Sequence, residues 1–493
     1  MAKYSNKFIA ALGSKFLTYS LLLFFFLQAS WVAVSYRFPM LFDENYHFNV
    51  IKYFIDNQSP IITAQDTKYD VLGNLMYGNA SLFHQLMSYP LMLIQHLTDN
   101  FMFEVIGLRL IGVGLTVLGL YLFVKLFIDN GVPRIFANLT VFVYSMFPLT
   151  TLVAATTSYD NLLFPIMAAF LIAGSNIIKM KKFNLKSYII FICIGLLGCL
   201  VKFTFLPVML AGVIYMSIVE YKRTKNPKNI VATTKKDFRD TNKPIFYGLL
   251  LITTVLTLLF SARYLVPVYK YHSPMPDCAK ILSYPRCEKS GVYYMGEISK
   301  KTKDTRKAYS FYEYGYNWIW QIEGQFSGTA NSTIDGRIEV GSRLPIFDLL
   351  MFTQFTLGFL ALVYMWRSLK KPNNWNFMLF VSAFLVLSIF LFNIASYYSA
   401  NTDLNVQSRY LLSILPILIM MSIVATSKLI GKRPVAKILL LLVVISLSFQ
   451  GGGLTKHILE SNQTWYWQKP KVINTNNKAR EALQPLIIES SKY

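Results

Sequence analysis

LFDENYHF, residues 41–48, follows the first apolar run of membrane length and decides how the rest of the chain is read. Asp43 and Glu44 are adjacent carboxylates beside Tyr46 and His47, at the point where a helix leaves the bilayer. Carboxylates there are costly unless they are solvated or used. Residues 17–36, just before them, read as a retained anchor, because a polar loop follows and not a small-residue cleavage site.

The 493 residues are 54% hydrophobic and 15% charged, with a mean hydropathy of +0.41. That composition is too apolar for a soluble chain of this length and predicts an all-α polytopic membrane protein. The aromatic content of 15% suits interfacial belts. A net charge of +23 would suggest nucleic acid in a soluble protein. Here basic loops on the inner side of a membrane account for it, and no nucleic acid is expected.

A span needs roughly 20 apolar residues. Suitable runs fall at 17–36, 105–127, 135–152, 161–179, 188–201, 203–220, 245–266, 346–366, 376–396, 409–428 and 436–450, about eleven crossings. Lys3, Lys7 and Lys15 precede the first, which places the N-terminus in the cytoplasm. Arg134, the Lys179–Lys186 cluster, YKRTKNPKN with Lys235, Lys236 and Arg239, then Arg367–Lys371 and Lys428–Lys437 all fall on that same side. Two segments are ambiguous in length. SLFHQLMSYPLMLIQHL (81–97) is assigned to an amphipathic surface helix, since a crossing there would invert every later loop. The run 187–221 is basic at both flanks, which requires an even number of crossings, so it is split at Lys202.

The resulting organisation is a membrane core, 1–266, with an outer loop at 37–104; an extracytoplasmic loop, 267–345; further membrane helices, 346–450; and an outer tail, 451–493. The long loop exceeds what a passive connection requires. Cys278 and Cys287 within it are close enough in sequence for a disulfide in an oxidising compartment, whereas Cys193 and Cys199 lie in an apolar run. In the tail, TWYWQ (464–468) reads as an anchor on the membrane surface.

This topology collects charge at one depth on the outer side. Asp43 and Glu44 are joined there by Asp160 in TTSYDNLLF, Lys202 in GCLVKFTFLP, Arg263 in SARYLVP, Arg409 and Tyr410 in NVQSRYLLSILP, and Glu104 and Arg109 in FEVIGLRL. Plainer roles exist for each. Lys202, Arg263 and Arg109 are placed to snorkel, Asp160 to cap its helix, and Asp43 and Glu44 to start a surface helix over 44–57. As a set they suit one chemistry: carboxylates orient or deprotonate a hydroxyl, and cations hold a phosphate leaving group. A lipid-linked phosphate is the obvious anion at that depth. Asp43, Glu44 and His47 also offer oxygen and imidazole ligands to a divalent metal. No second such cluster accompanies them, so no cofactor is expected to be required.

FDENYHFNVIKYFIDNQSPIIT resembles the first outer loop of GT-C glycosyltransferases of the protein O-mannosyltransferase and lipid A aminoarabinose transferase type, in which an Asp-Glu doublet leads into a surface helix. SYPLMLIQHLTDNFMFEVIGLRLIGVGLTVLGLYLFVKLF is similar to that family's second surface helix and second span. SYDNLLF and VQSRYLLSILP resemble its second acidic motif and its Arg-Tyr motif; the likeness covers roughly 15–220 and 400–416. It implies inverting transfer of a sugar from a polyprenyl phosphate to a glycan, lipid or protein acceptor. By resemblance Asp43 is the base or acceptor-orienting acid, Glu44 supports it, and Asp160 is a second acid. Arg409, with Tyr410, Lys202 and Arg263 near it, then contacts the lipid phosphate, with His47, Glu104 and Arg109 in support. Asn45-Tyr46-His47 departs from the family pattern by placing an ionisable ring after the doublet.

A transporter or flippase of a lipid-linked or anionic substrate, and a non-catalytic membrane scaffold, are the readings from other classes. Transporters place charges near the midplane on paired, broken helices; here the charges sit at span ends and no repeat is evident. The abundance of Lys, Asn, Ile and Tyr points to a low-GC genome and a bacterial plasma membrane.

Overall fold

The computed structural model describes residues 10–486 except 42, 79–80, 225–242, 292, 295–296, 299–308, 327–330, 333–337, 340–355, 357–359, 361–372, 401–406 and 432–433. The expected eighth span, 346–366, and the basic stretch around Lys235 lie almost wholly outside the described residues.

The protein is a helical, multi-pass membrane protein. Among the described residues, six helices are long and apolar enough to cross a membrane: α1 (Lys15–Ser35), α4 (Phe101–Asp129), α7 (Asp160–Lys179), α9 with its leading turn (Phe203–Arg223), α10 (Lys243–Tyr271) and α12 (Asn374–Ser399). Two shorter apolar helices accompany them, α8 (Leu185–Val201) and α13 (Leu415–Ile430), followed by α14 (Pro434–Phe449). The expected count of eleven is not fixed by these described residues. Among the described residues, strand is limited to two-residue pieces, Asn331–Ser332 and Ile338–Glu339, paired antiparallel.

One expected span is instead two helices. Residues 135–152 divide into α5 (Arg134–Met146) and α6 (Pro148–Ala154), bent by 79°. Proline has no N–H and disfavours a helical residue before it. Phe147 is accordingly extended and Pro148 opens the new helix. The Thr150 hydroxyl lies within donating distance of the carbonyls of Tyr144 (2.8 Å) and Phe147 (2.7 Å), adding to the backbone N–H groups of Phe147 and Thr150 that already meet them at the bend.

Other helix ends follow their sequence cues. The Ser14 hydroxyl accepts from the Leu17 amide at 3.1 Å to start α1, and the Asn100 side chain accepts from the Met102 amide at 3.0 Å to start α4. Lys202 is extended, ends α8, and separates it from α9, as the basic flanks require.

The core is built around α4, which packs against α1, α3 (Leu82–Leu97), α5 and α7; α7 continues to α8, and α8 to α10. The close α4–α7 approach depends on small residues. A Cβ at Gly112 would stand 2.6 Å from the Asn161 amide nitrogen, and one at Gly119 would collide with Phe164.

The surface elements cover one end of this bundle. α2 (Glu44–Asn57) lies on α3, and α3 rests on α4 and α8. α3 buries Phe83, His84, Met87 and Leu91 and exposes Leu86, Tyr89, Leu93 and Leu97, the two faces of an amphipathic helix. In the long loop, α11 (Phe311–Phe326) packs on α12, with Trp318 donating to Asn393 at 2.9 Å.

The tail differs from the expected surface anchor. Trp465 and Tyr466 are buried against Tyr36. Arg37 donates to the Trp465 carbonyl at 2.8 Å and Trp467 to the Ser35 carbonyl at 3.0 Å, forming a short antiparallel clasp over the end of α1. α15 (Gly453–Glu460) and α16 (Pro470–Leu483) complete it, and Asn476 accepts from Trp31 at 2.9 Å. The unpaired backbone after Ser35 gives the aromatic cluster hydrogen bonds as well as area, which a bilayer interface does not offer to a backbone.

Candidate active site

Glu44 and Arg109 form the foundation. Both side chains are fully buried. Arg109 grips Glu44 bidentately, Nε to Oε1 at 2.8 Å and Nη2 to Oε2 at 2.7 Å. Its remaining N–H groups donate to the carbonyls of Ala33 (3.0 Å), Tyr36 (2.5 Å) and Arg37 (3.3 Å) at the end of α1. Glu44 also accepts from the Met40 amide at 2.7 Å and the Thr157 amide at 3.1 Å. One ion pair thus ties α1, α2, α4 and the turn before α7 together, and every charge in it is met.

That pair sets the position of two other carboxylates. Asp43 precedes α2 and Asp160 opens α7, yet neither caps its helix. Asp43 sits at φ 63°, a left-handed conformation that few non-glycine residues adopt, although aspartate is among those that do. The observed strain aims its carboxylate away from the helix end.

Both carboxylates turn to cations. Arg409 Nη2 donates to Asp43 Oδ2 at 2.7 Å, and Arg409 Nε stands 4.0 Å from Asp160 Oδ2. Lys202 Nζ donates to Asp160 Oδ1 at 2.5 Å. The order Asp43–Arg409–Asp160–Lys202 is a row of alternating charge. Its inner members are nearly closed to solvent, Arg409 at 2% exposed, while the Asp43 side chain is 53% exposed. The row has an open acidic end and a buried cationic interior.

Aromatic rings and loop contacts hold the cations. Lys202 Nζ lies 4.4 Å from the Tyr159 ring centre and 4.3 Å from that of Tyr410. Arg409 Nε donates to Gln407 at 2.6 Å. The 3-10 turn Ser408–Leu411 that carries Arg409 is pinned by α11: Ser408 donates through its amide to Gln325 at 2.8 Å and through its hydroxyl to the Ile322 carbonyl at 2.8 Å. Lys202 lies in the turn between two spans, and burial pushes it down to about 8 against the pull of Asp160. A cavity of about 160 Å³ opens beside it, lined by Tyr159, Lys202, Thr204 and Tyr410 among apolar groups such as Phe392 and Ile389.

The remaining candidates are placed differently. His47 is buried behind the row, its Nδ1 2.8 Å from His84 Nε2 and its ring 4.4 Å from that of Tyr159. Burial, the neighbouring His84, and the charges of Arg409 and Lys202 hold His47 well below the usual histidine range. Burial pushes His84 down to about 3. Among the described residues, no group of three or more His, Cys, Asp or Glu side chains is arranged to hold a metal ion. Glu104 accepts from Gln95 at 3.0 Å, outside the row. Arg263 is also outside it and lines a separate cavity. Cys278 and Cys287 are joined in a disulfide, and Arg286 between them binds the buried Asp70 at 2.7 Å.

Three groups in the site escaped the sequence reading. Tyr159 and Gln407 adjoin quoted motifs, and proximity alone could have flagged them. His84 was visible only as a polar residue on an apolar helix face, a pattern that does not identify its partner.

No protein-family model matches the chain, and no curated protein matches it. Among solved structures it is similar to ArnT from Cupriavidus metallidurans bound to undecaprenyl phosphate, at 12% identity, covering 96% of this chain and 72% of that one with a TM-score of 0.47. The apo state of the same ArnT aligns at 12% identity over 94% and 72%, with a TM-score of 0.44.

Proposed function

We propose that the protein is a membrane glycosyltransferase that moves a sugar from a polyprenyl-phosphate donor to an acceptor hydroxyl on the extracytoplasmic face of a bacterial plasma membrane. The row Asp43–Arg409–Asp160–Lys202, beside a largely apolar cavity at the helix ends, is the observation that carries this reading. A phosphate entering that cavity meets Lys202, with Arg409 beyond Asp160 in the row. Asp43, at the solvated end, is the carboxylate an acceptor can reach.

In this reading the acceptor oxygen attacks the anomeric carbon as the bond from that carbon to the phosphate oxygen breaks. Asp43 takes the hydroxyl proton, and the polyprenyl phosphate leaves with the bonding pair, its charge met by Lys202 and Arg409. Attack opposite the leaving group inverts the anomeric centre. Asp160 holds the two cations in place. Glu44 acts as a positioning residue through Arg109 and the Thr157 amide. The acceptor is a glycan, a lipid or a protein.

The test follows sugar release from a panel of polyprenyl-phosphate sugars by purified protein, wild type beside Asp43→Asn. Release that depends on Asp43 supports the reading and identifies the donor. Binding without release, with acceptors added, overturns it in favour of a transporter or scaffold.

A further inference from the structure

The disulfide Cys278–Cys287 takes no part in the charge row. It bridges a sequence separation of 9 within the stretch 272–290, just after α10. That stretch has little core of its own: among its described residues Pro276, Leu282, Cys287 and Ser290 are buried. A segment with so few apolar contacts keeps one shape only where something ties it. The disulfide is one tie. The second is Arg286, the neighbour of Cys287. Its Nε lies 2.9 and 3.0 Å from the two Asp70 carboxylate oxygens, and its Nη2 lies 2.7 Å from Oδ1. Nη2 also donates to the Gln65 carbonyl at 2.7 Å. The Asp70 side chain is fully buried.

The surface that receives Arg286 belongs to the first outer loop. The Gln65 side chain donates to the Gly73 carbonyl at 2.8 Å and accepts from the Leu75 amide at 2.9 Å, which folds 65–75 into a compact turn. Leu75 packs with Val50, Tyr53 and Phe54 of α2, the helix that Asp43 precedes. The two loops also meet closely at Gly73, which sits at φ 73°, where a Cβ would stand 3.1 Å from the Ser290 hydroxyl oxygen.

Both loops wall the cavities at the helix ends. Pro60, Ile61, Thr63 and Tyr77, on either side of the turn, line the cavity beside Arg263. From the other loop, Pro274 accepts from Arg263 at 3.0 Å, and the next residue, Met275, lines the Lys202 cavity. A partition separates the two cavities, with Leu200 facing one and Val201 and Lys202 the other. Cys278 follows Met275 closely in the chain, and Cys287 adjoins the residue anchored on Asp70. The disulfide is therefore the covalent link between a wall of the Lys202 cavity and its anchor on the first outer loop.

We propose that Cys278–Cys287 is a redox-sensitive latch: closed, it holds the Pro274–Met275 wall against the Lys202 cavity through Arg286 and Asp70, and opened by a dithiol reductant it releases that wall and weakens donor binding. The effect on the donor rests on the reading given above for Lys202. Cys278 is partly exposed and Cys287 is buried, so the reductant meets Cys278 first. One thiolate of the dithiol attacks the Cys278 sulfur, the bond to the Cys287 sulfur breaks, and the Cys287 thiolate takes up a proton. The second thiolate then displaces Cys278 from the mixed disulfide. The reductant leaves as a cyclic disulfide, and two electrons and two protons end on the two cysteines.

The test uses the full-length protein in phosphatidylcholine nanodiscs, oxidised, reduced with dithiothreitol, and reoxidised with oxidised glutathione. Amide hydrogen exchange is followed over 65–77 and 272–290, and undecaprenyl phosphate is titrated in each state. Reduction is expected to speed exchange in both segments and to weaken donor binding about tenfold, with both changes reversed on reoxidation. Cys278→Ser should behave as the reduced protein and ignore the reductant. Arg286→Gln, which keeps the disulfide and removes the anchor, should bind donor weakly when oxidised and lose little more when reduced. The latch is overturned if reduction leaves exchange or donor affinity unchanged. A reductant effect of equal size in Cys278→Ser overturns it by placing the effect elsewhere, and a loss that reoxidation does not restore overturns it as unfolding. Failure of the oxidised wild type to bind undecaprenyl phosphate sinks the donor reading instead, and the exchange measurement then decides the latch by itself.

Discussion

Arg409 Nη2 lies 2.7 Å from Asp43 Oδ2 across 366 residues of sequence, joining the carboxylate before the first surface helix to a turn late in the chain. This pair gives Asp43 its orientation and leaves it half open to solvent. Asp43→Asn keeps the shape and removes the proposed base. Turnover is expected to vanish while undecaprenyl phosphate still binds; a variant that turns over at the wild-type rate would remove Asp43 from the chemistry.

Arg409→Ala removes a buried cation from between two carboxylates. Loss of a charge-assisted contact of this kind costs about 1.5–3 kcal/mol, or roughly a 10- to 150-fold loss of donor affinity. Arg409→Lys should recover only part of it, because the fork that reaches Asp43 and Asp160 together is lost. Donor titration of the two variants checks this, and unchanged affinity in the alanine variant would place the phosphate elsewhere.

Lys202 has its folded pKa below that of an unfolded lysine, because burial outweighs the attraction of Asp160. The Lys202 cation, proposed to meet the phosphate, is present below about pH 8 and is lost as pH rises through that value. Donor affinity should therefore fall above about pH 8, and the fall should disappear in Lys202→Arg, which stays charged. Parallel pH profiles in the two proteins would expose a different titrating group.

Glu44 and Arg109 make a fully buried pair, so removing one partner strands the other. Glu44→Met is expected to cost about 3–5 kcal/mol of stability. The double variant with Arg109→Met should cost less than the two single changes summed, because neither charge is then left alone. Thermal unfolding of the four proteins in one detergent measures the coupling. Strict additivity would contradict the role given to this pair.

His47 and His84 are both held neutral by burial, and their pKa values lie below those of the unfolded chain. Below about pH 6.5 the unfolded state takes up protons that the folded state refuses, so stability should drop as pH falls from there. His84→Gln should flatten that drop. A melting temperature equally insensitive to pH 5–7 in both proteins would argue against a buried neutral pair.

Much of the fold was legible because it depends on local sums. Apolar runs of sufficient length mark α1, α4, α7 and α12 wherever they pack. The surface helix over 44–57 and the break at Lys202 also follow from short-range cues, an acidic start in one case and basic flanks in the other. The bend at Phe147-Pro148 was hidden because average hydropathy does not register one proline within an apolar run.

What only the tertiary structure decided is which charge meets which. Sequence placed Asp43, Glu44, Asp160, Arg109, Lys202, Arg263 and Arg409 at one level, but position along a span carries no information about azimuth. Packing assigned Glu44 to Arg109 inside the core, aligned Arg409 between Asp43 and Asp160, and set Arg263 across a partition in its own cavity. It also turned the aromatic tail inward onto Tyr36, where backbone donors and acceptors were waiting. Ion pairing acts over a few ångströms, so it is settled by how helices far apart in sequence come together, and the order of residues in the chain does not contain that distance until the chain has folded.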